Sequence, residues 1–304
     1  MTTATLDVNQ PATPPAFQHL STGRRVKNGI ATALVWLAFL VAVIPLVWVL
    51  VSVLARGAHM VANADWWQQS LGGLLGDDVG GGVYHAIYGS LVQSLMCAVI
   101  AVPIGLLVAI YLVEYGRGRL AKATTFMVDI LSGVPSIVAA LFIYAMWITT
   151  LGFNRSGFAV SLALVLLMLP VVVRSSEDML RLVPDELREA SYALGIPKWK
   201  TIVKIVIPTA LSGILTGIML ALARVMGETA PVLVLVGYSG YINYDLFSGE
   251  MASLPLLMNS ERVSNPSPIG TDRIWGAALT LVIIIALFNL AATLLSRLVA
   301  PKKK

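Results

Sequence analysis

Six long apolar stretches, separated by more polar segments, dominate the pattern of this chain. A hydrocarbon core about 30 Å thick requires roughly 20 predominantly apolar residues to be crossed as α-helix. The pattern therefore predicts six membrane-spanning helices, at about 30–54, 88–113, 125–149, 158–173, 206–237 and 275–298. The fourth stretch is short for a span, and the fifth is long enough to require a tilt, a break or a re-entrant turn. No strand-like alternation is present, so we expect an all-α integral membrane protein.

Composition agrees with a membrane location. Of 304 residues, 57% are hydrophobic and 12% are charged, against about 25% charged in a typical soluble domain. About 29 residues precede the first stretch, which argues against a cleaved signal peptide. We predict a flexible cytoplasmic tail at 1–29, a transmembrane domain at 30–298 and a basic cytoplasmic tail at 299–304. The single cysteine, Cys97, excludes a disulfide framework and a cysteine metal site.

The basic residues predict the orientation of the spans. Sixteen of the 21 Lys and Arg residues fall in segments 1–29, 114–124, 174–205 and 297–304, whereas the alternate segments hold four. The positive-inside rule then puts both termini in the cytoplasm, and it makes the basic balance a topology signal instead of a sign of nucleic-acid binding. The alternate segments also carry seven acidic residues, including Glu261. We expect that outer surface to be too acidic to gather anions by itself.

Residues 174–208, named here the central loop, carry a helix-turn-helix pattern. Pro184 suits the first turn of a helix, and Gly195 followed by Pro197 ends it. A second short helix is predicted at 198–206. The first helix is predicted to place Leu187, Ala190, Ser191 and Leu194 on one face, and the second to place Trp199, Ile202, Val203 and Val206 on a common side. The pattern leaves two interpretations open, packing on the protein's own cytoplasmic face or docking of a partner.

Two ionisable residues, Arg224 and Glu228, lie inside the fifth stretch. Charges within a span mark a pathway or a pair, and a spacing of four residues predicts one helix face and an ion pair. Arg224 would contact an anion, because its guanidinium matches phosphate-like oxygens. Gly227 and Pro231 predict a helix break, and Thr229 would help to satisfy the freed backbone groups. The alternative is a purely structural ion pair.

A third acidic residue, Asp129, lies near the cytoplasmic end of the third stretch. We expect it to pair with an Arg or Lys of a loop at the membrane boundary. Gly133 and Pro135, which follow it, predict a kink that helix packing explains.

No motif for binding a nucleotide or a metal is found in the sequence. A phosphate-binding loop requires G-x-x-x-x-G-K-[ST], and the nearest match, Lys200-Thr201, has Trp199 at the second glycine position. The three histidines have no metal-ligand spacing. We expect no cofactor on this chain and no enzymatic activity, so the energy for any transport must come from another chain.

The central loop closely resembles the EAA loop of ABC-importer permeases. Glu189-Ala190-Ser191, then Gly195, then Ile205-Val206-Ile207-Pro208 keep the spacing of that pattern, with Ser191 in place of alanine and Ile207 in place of leucine. The resemblance implies a type I ABC importer permease fold with cytoplasmic coupling helices. It also implies that Glu189, Ala190, Ser191, Gly195 and Pro208 contribute to contact with an ATPase.

Further motifs resemble permeases of phosphate-specific importers, the PstA-type more than the PstC-type. They are Gly227-Glu228-Thr229-Ala230-Pro231, Tyr111–Gly116, Gly133–Val138 and Met251–Pro255, within a match from about 85 to 298. This implies a substrate pathway for phosphate with Arg224, Glu228 and Thr229, in the bacterial cytoplasmic membrane. The implied partners are a PstC-type second permease, a dimeric PstB-type ATPase that uses ATP and Mg²⁺, a PstS-type phosphate-binding protein and membrane lipid.

Two alternatives stay open at this point. One is a permease of the same type for another oxyanion, such as sulfate, molybdate or a phosphonate, because the EAA loop does not distinguish among them. The other is a membrane sensor or scaffold that uses the central loop to dock a signalling protein.

Overall fold

The computed structural model describes residues 22–74 and 78–299, and every regular element in those ranges is helical. The chain divides into two compact units, Met1–Ser52 and Val53–Lys304. The described part of the first unit, from residue 22, is a single helix. Residues 1–21 and 300–304 of the predicted tails at 1–29 and 299–304 lie outside the described residues, whereas residues 22–29 and 299 are helical.

The helices, numbered in chain order, are α1 (Thr22–Val61), α2 (Ala64–Gln68), α3 (Tyr84–Ile110), α4 (Gly118–Ser132), α5 (Ser136–Ile143), α6 (Gly157–Arg181), α7 (Asp185–Ala193), α8 (Lys198–Thr201), α9 (Ile207–Met226), α10 (Ala230–Leu235), α11 (Leu254–Ser264) and α12 (Pro268–Val299). Short π-helical turns follow α3 at Tyr111–Tyr115 and α5 at Tyr144–Thr150, and a third joins α8 to α9 at Ile202–Val206.

Five of the described helical segments are long and apolar enough to span a membrane. They contain α1, α3, α6, α9 and α12, and the bent pair α4–α5 counts as a sixth when taken as one span. The predicted all-α membrane fold with about six spans is therefore confirmed.

The third predicted span is not a continuous helix. α4 and α5 meet at 105° across Gly133–Pro135. Pro135 has no N–H for a helical hydrogen bond, and its ring disfavours helical geometry at Val134, so α4 ends at Ser132. The predicted kink is therefore a sharp break.

α6 is longer than the predicted fourth span, because it continues through charged residues to Arg181. Glu177 accepts hydrogen bonds from Arg174 at 2.9 Å and from Arg181 at 2.7 Å, at spacings that support a helix. Arg174 also pairs with Asp129 of α4. The expected basic partner of Asp129 is thus confirmed, although it belongs to a helix and the first part of the central loop is the end of α6.

α6 is at the centre of the second unit and packs against α3, α4, α5 and α9. Small residues allow close approach on two sides. A Cβ atom added to Gly217 of α9 would lie 2.4 Å from Ser175 Oγ, and one added to Gly105 of α3 would lie 2.8 Å from Val172 Cγ1. Close helix contacts at small residues are typical of membrane bundles, and they connect α6 directly to the helix that carries Arg224.

Candidate functional site

The fifth predicted span is broken between α9 and α10. The N–H groups of Gly227 and Glu228 donate to the carbonyls of Arg224 and Val225, each at 3.2 Å, which tightens the last turn of α9. α10 begins at Ala230, and Pro231 occupies its first turn. Its ring would clash with the carbonyl of Gly227 in a continuous helix, so Pro231 accounts for the break.

Glycine is not required at position 227 for steric reasons. Its φ is −88°, which any residue adopts, and an added Cβ would meet only the Arg224 carbonyl oxygen at 3.6 Å. Thr229 contributes its backbone carbonyl, which accepts from Leu233 at 3.0 Å, and its side chain makes no capping hydrogen bond. The predicted backbone role of the Thr229 side chain is therefore wrong.

The predicted ion pair between Arg224 and Glu228 is also wrong. α9 ends at Met226, so the two residues do not share a continuous helix face. Within 22–74 and 78–299, neither side chain has a hydrogen bond or an ion pair. Arg224 is exposed and Glu228 is half-buried. The Arg224 guanidinium therefore carries its charge without an acidic partner from the described part of its own chain.

A second broken helix packs beside this break. α10 contacts both α5 and α6, and α5 is the second half of the bent pair α4–α5. Each break interrupts a segment that the sequence predicts as one span. Irregular backbone at membrane depth is tolerated where it is covered by protein or lines a polar cavity, and transporters often place their sites at such breaks.

The central loop forms the predicted helix-turn-helix. α7 covers Asp185–Ala193, and the second helical segment begins at Lys198 and continues through the π-helical turn into α9. Gly195 has a φ of +74°, with open space around its Cα, so backbone conformation and not crowding favours glycine there. The Ser191 and Thr201 hydroxyls lie 2.8 Å apart in a buried hydrogen bond that joins α7 to α8.

The remaining residues expected to contact an ATPase are at the surface of the central loop or beside it. Glu189 and Ala190 of α7 are exposed, and Pro208 is half-buried in the first turn of α9. The structure does not bring this group together with Arg224. Pro208 and Arg224 are 16 residues apart on one helix, which corresponds to about 24 Å at 1.5 Å per residue.

The apolar residues of the central loop do not form the two predicted faces. Ser191 is buried while Leu194 is 80% exposed, and Ile202 and Val206 are buried while Trp199 is 62% exposed. Between Asp185 and Val206, five large apolar side chains are exposed, and together they are named here the loop surface: Leu187, Tyr192, Leu194, Trp199 and Val203. An exposed apolar surface of this kind is a candidate interaction site.

Away from both of these regions in sequence, Glu261 of α11 and Arg273 of α12 form a buried ion pair that the sequence did not predict. Their side chains are 9% and 3% exposed and lie 3.5 Å apart. Arg273 also donates to the Asp78 carbonyl at 2.8 Å, and Asn265 donates to Glu261 at 3.0 Å. Burial, with Glu261 adding and Arg273 opposing, raises the pKa of the nearby Tyr238 phenol. These charges were expected at the surface, but they connect α11, α12 and the segment before α3.

The fold and the central loop together define a multi-pass membrane permease. Residues 101–304 match the family described as "Binding-protein-dependent transport system inner membrane component". Over 297 residues, covering 98% of this chain and 97% of the relative, the chain is 61% identical to the phosphate transport system permease protein PstA 1 of Mycobacterium tuberculosis (strain CDC 1551 / Oshkosh). It is 39% identical to PstA of Yersinia pestis, with 92% of each chain covered. The chain belongs to this transport family, and within it to the PstA-type permeases.

Solved structures show the same fold at low sequence identity. A chain of a bacterial alginate ABC transporter, solved in complex with a periplasmic protein that carries an alginate pentasaccharide, superposes with a TM-score of 0.60 and 12% identity, covering 93% of this chain and 99% of that chain. A chain of the MetNI methionine ABC transporter in an inward-facing conformation has a TM-score of 0.57 and 19% identity, covering 72% and 95%. Both are chains of ABC transporters, in agreement with the predicted permease fold.

Proposed function

We propose that this chain is the permease subunit of an ATP-driven phosphate importer and forms half of its channel. The observation that carries the proposal is the loop surface, an exposed apolar area on a helical loop that lies between two spanning helices, α6 and α9. A permease subunit of this kind needs a surface to which an ATPase binds and through which the ATPase displaces it. The proposed substrate rests on the PstA relatives, which are named as phosphate transport permeases.

The partners follow from this assignment. The central loop docks on a dimeric PstB-type ATPase that binds ATP and Mg²⁺, and this chain hydrolyses nothing itself. A PstC-type permease supplies the other half of the channel, and a PstS-type binding protein delivers phosphate from outside. The excess of basic residues in the central loop, in segment 114–124 and near both termini supports a bacterial cytoplasmic membrane orientation with both termini inside.

Arg224 is the proposed phosphate contact of this half-channel. Its guanidinium is exposed, and no acidic side chain in the described ranges neutralises it. A guanidinium fork binds phosphate oxygens through two parallel charge-assisted hydrogen bonds. Glu228 and Thr229 adjoin it at the helix break and complete the part of the pathway that this chain provides.

The transport cycle is alternating access. ATP binding closes the ATPase pair and displaces the central loop, which opens the channel outward for phosphate. Hydrolysis returns the loop and opens the channel inward. A partner that binds two conformations with equal affinity does not shift their populations. The ATP-bound and ATP-free forms of the ATPase must therefore favour different conformations of the loop.

Reconstitution of the four-component importer in liposomes tests the proposal. We expect ATP-dependent uptake of radiolabelled phosphate when the binding protein is supplied, with unlabelled phosphate competing well and sulfate, molybdate and a phosphonate competing poorly. Stronger competition by one of those anions would assign the permease to that oxyanion. A chain that retains no ATPase and moves no anion would be a sensor or scaffold instead.

A further inference from the structure

Glu114 and Arg188 form an ion pair that is buried where the central loop meets α3. Nε of Arg188 donates to Oε1 of Glu114 at 3.1 Å, and the two side chains are 12% and 5% exposed. Glu114 lies in the π-helical turn after α3, and Arg188 lies in α7. Removing two charges from water is unfavourable, and it is offset only where good geometry and further hydrogen bonds compensate.

Arg188 makes those further hydrogen bonds to the end of α6. Its Nη1 donates to the Val183 carbonyl at 2.6 Å, and its Nη2 donates to the Leu180 carbonyl at 3.0 Å. Carbonyls at a helix C-terminus have no donor within the helix, and a cation there complements the helix dipole. One guanidinium therefore joins α7 to α3 and to α6.

A second contact fixes the other helix of the loop to the same turn of α3. The Lys198 ammonium donates to the Glu114 carbonyl and lies 4.7 Å from the centre of the Tyr115 ring. Lys198 is the first residue of α8, and α8 is joined to α7 through Ser191 and Thr201. Both loop helices are thus attached to the turn that ends α3.

We propose that Glu114 and Arg188 are positioning residues that transmit displacement of the central loop to α3 and α6. This inference rests on the proposed function, because it requires an ATPase that moves the loop. The route onward is packed side chains, since α6 packs against α9 and α9 carries Arg224. A buried ion pair held by several hydrogen bonds has few alternative arrangements, so it transmits a displacement where an exposed, solvated pair would rearrange.

The chain contains a matched control for this ion pair. Nη1 of Arg188 also lies 3.1 Å from a carboxylate oxygen of Asp185, whose side chain is 87% exposed. Glu114 and Asp185 therefore contact the same arginine at the same distance and differ in burial. Exposed pairs are weak because water screens them. Only Glu114 also belongs to a different helix from Arg188.

The test compares E114Q, E114D and D185N in the reconstituted importer, with phosphate uptake and ATP hydrolysis measured in the same liposomes. We expect E114Q to assemble with the ATPase and hydrolyse ATP, but to import about fivefold less phosphate per ATP. E114D should recover part of the ratio because it keeps the charge, and D185N should match wild type. In a double-mutant cycle, E114Q and R188K should be less than additive.

Three outcomes would contradict the proposed role of Glu114 and Arg188. An unchanged ratio in E114Q would show that the pair transmits nothing. An equal loss in D185N would make burial irrelevant. If ATPase binding falls in proportion to phosphate uptake, Glu114 has a structural role only. If E114Q does not reach the membrane, R188K is measured in its place and judged by the same criterion. Failure of the proposed function is distinguishable, because it appears first as a wild-type complex that hydrolyses ATP without importing phosphate.

Discussion

At the scale of single residues, Arg224 is the exposed cation whose surroundings differ most from the sequence prediction. The predicted pair with Glu228 would have held the guanidinium until an anion displaced the carboxylate. In the structure α9 ends before Glu228, and Arg224 has no acidic partner among the described residues. Arg224 is therefore available to an anion without first breaking an ion pair.

Replacing Arg224 by Ala should lower phosphate uptake while the permease still assembles with its ATPase. A hydrogen bond to a charged group contributes about 1.5–3 kcal/mol, so R224A should reduce uptake at limiting phosphate by at least about tenfold. Uptake by R224K should fall between that of wild type and that of R224A, because lysine keeps the charge but lacks the planar guanidinium that makes two parallel hydrogen bonds. Uptake kinetics and ATPase retention on the purified complexes measure both effects.

Phosphate uptake by the E228Q variant distinguishes the arrangement in the structure from the predicted Arg224–Glu228 ion pair. With no Arg224–Glu228 pair in the structure, removing the Glu228 charge should reduce uptake much less than R224A does. Equal losses in the two variants would contradict the structural arrangement. Normal uptake in R224A would remove Arg224 from the phosphate pathway.

Some side-chain roles were predictable from the sequence, and others were not. Gly195 followed by Pro197 predicts a helix end, and a φ of +74° gives its reason. The pairs Glu114–Arg188 and Glu261–Arg273 were not predicted, because their partners come from different helices. Spacing along one helix is visible in a sequence, whereas the packing that buries two distant charges together is not.

At the scale of helical elements, the break after α9 depends on one proline. Gly227 has an ordinary φ of −88° and room for a Cβ, so the break does not depend on glycine. Pro231 lacks an N–H, and its ring excludes a helical carbonyl at Gly227, an obstacle of about 3 kcal/mol to a continuous helix. The two residues were predicted together as a helix break, but their contributions are separable.

P231A should join α9 to α10, and G227A should leave the break in place. The probe is a cysteine introduced by T229C, since the native Cys97 is buried. We expect maleimide labelling of this cysteine to slow markedly in the P231A background, because a continuous helix packs position 229 more tightly. In the G227A background labelling should match that of T229C alone. Slower labelling in the G227A background, or an unchanged labelling rate in the P231A background, would assign the break to another cause.

The helices themselves were more predictable than their interruptions. Apolar length predicted the five long segments, because crossing hydrocarbon imposes that length on any sequence. α6 exceeded its predicted span, because Glu177 bonds both Arg174 and Arg181 and so extends a helix past the apolar stretch. The 105° bend between α4 and α5 was underestimated, since Pro135 indicates where a helix stops and packing against α6 and α10 decides the direction of the next one.

At the scale of the whole molecule, the two candidate functional regions occupy different ends of α9. The central loop precedes α9 and the helix break follows it, about 24 Å away from Pro208 to Arg224 by helical rise. No residue can serve both regions by direct contact. Under the proposed function, communication between an ATPase at the loop and phosphate at the break has to pass through packed helices, and α6 packs against both α3 and α9.

The loop surface provides the last prediction, because the proposed function places the ATPase on this surface. Leu194 of this surface is 80% exposed, and Val263 of α11, on the opposite side in the proposed topology, is 71% exposed. Burying a leucine against a partner contributes about 2 kcal/mol. L194S should therefore weaken ATPase binding by more than about tenfold, while V263S, which changes another strongly exposed apolar residue, should leave it unaffected. Binding of the purified ATPase to permease in nanodiscs measures the difference, with thermal unfolding of each variant as the folding control. If L194S and V263S bind the ATPase equally well, the loop surface is not the docking site, and the energy of ATP must reach the permease at another place.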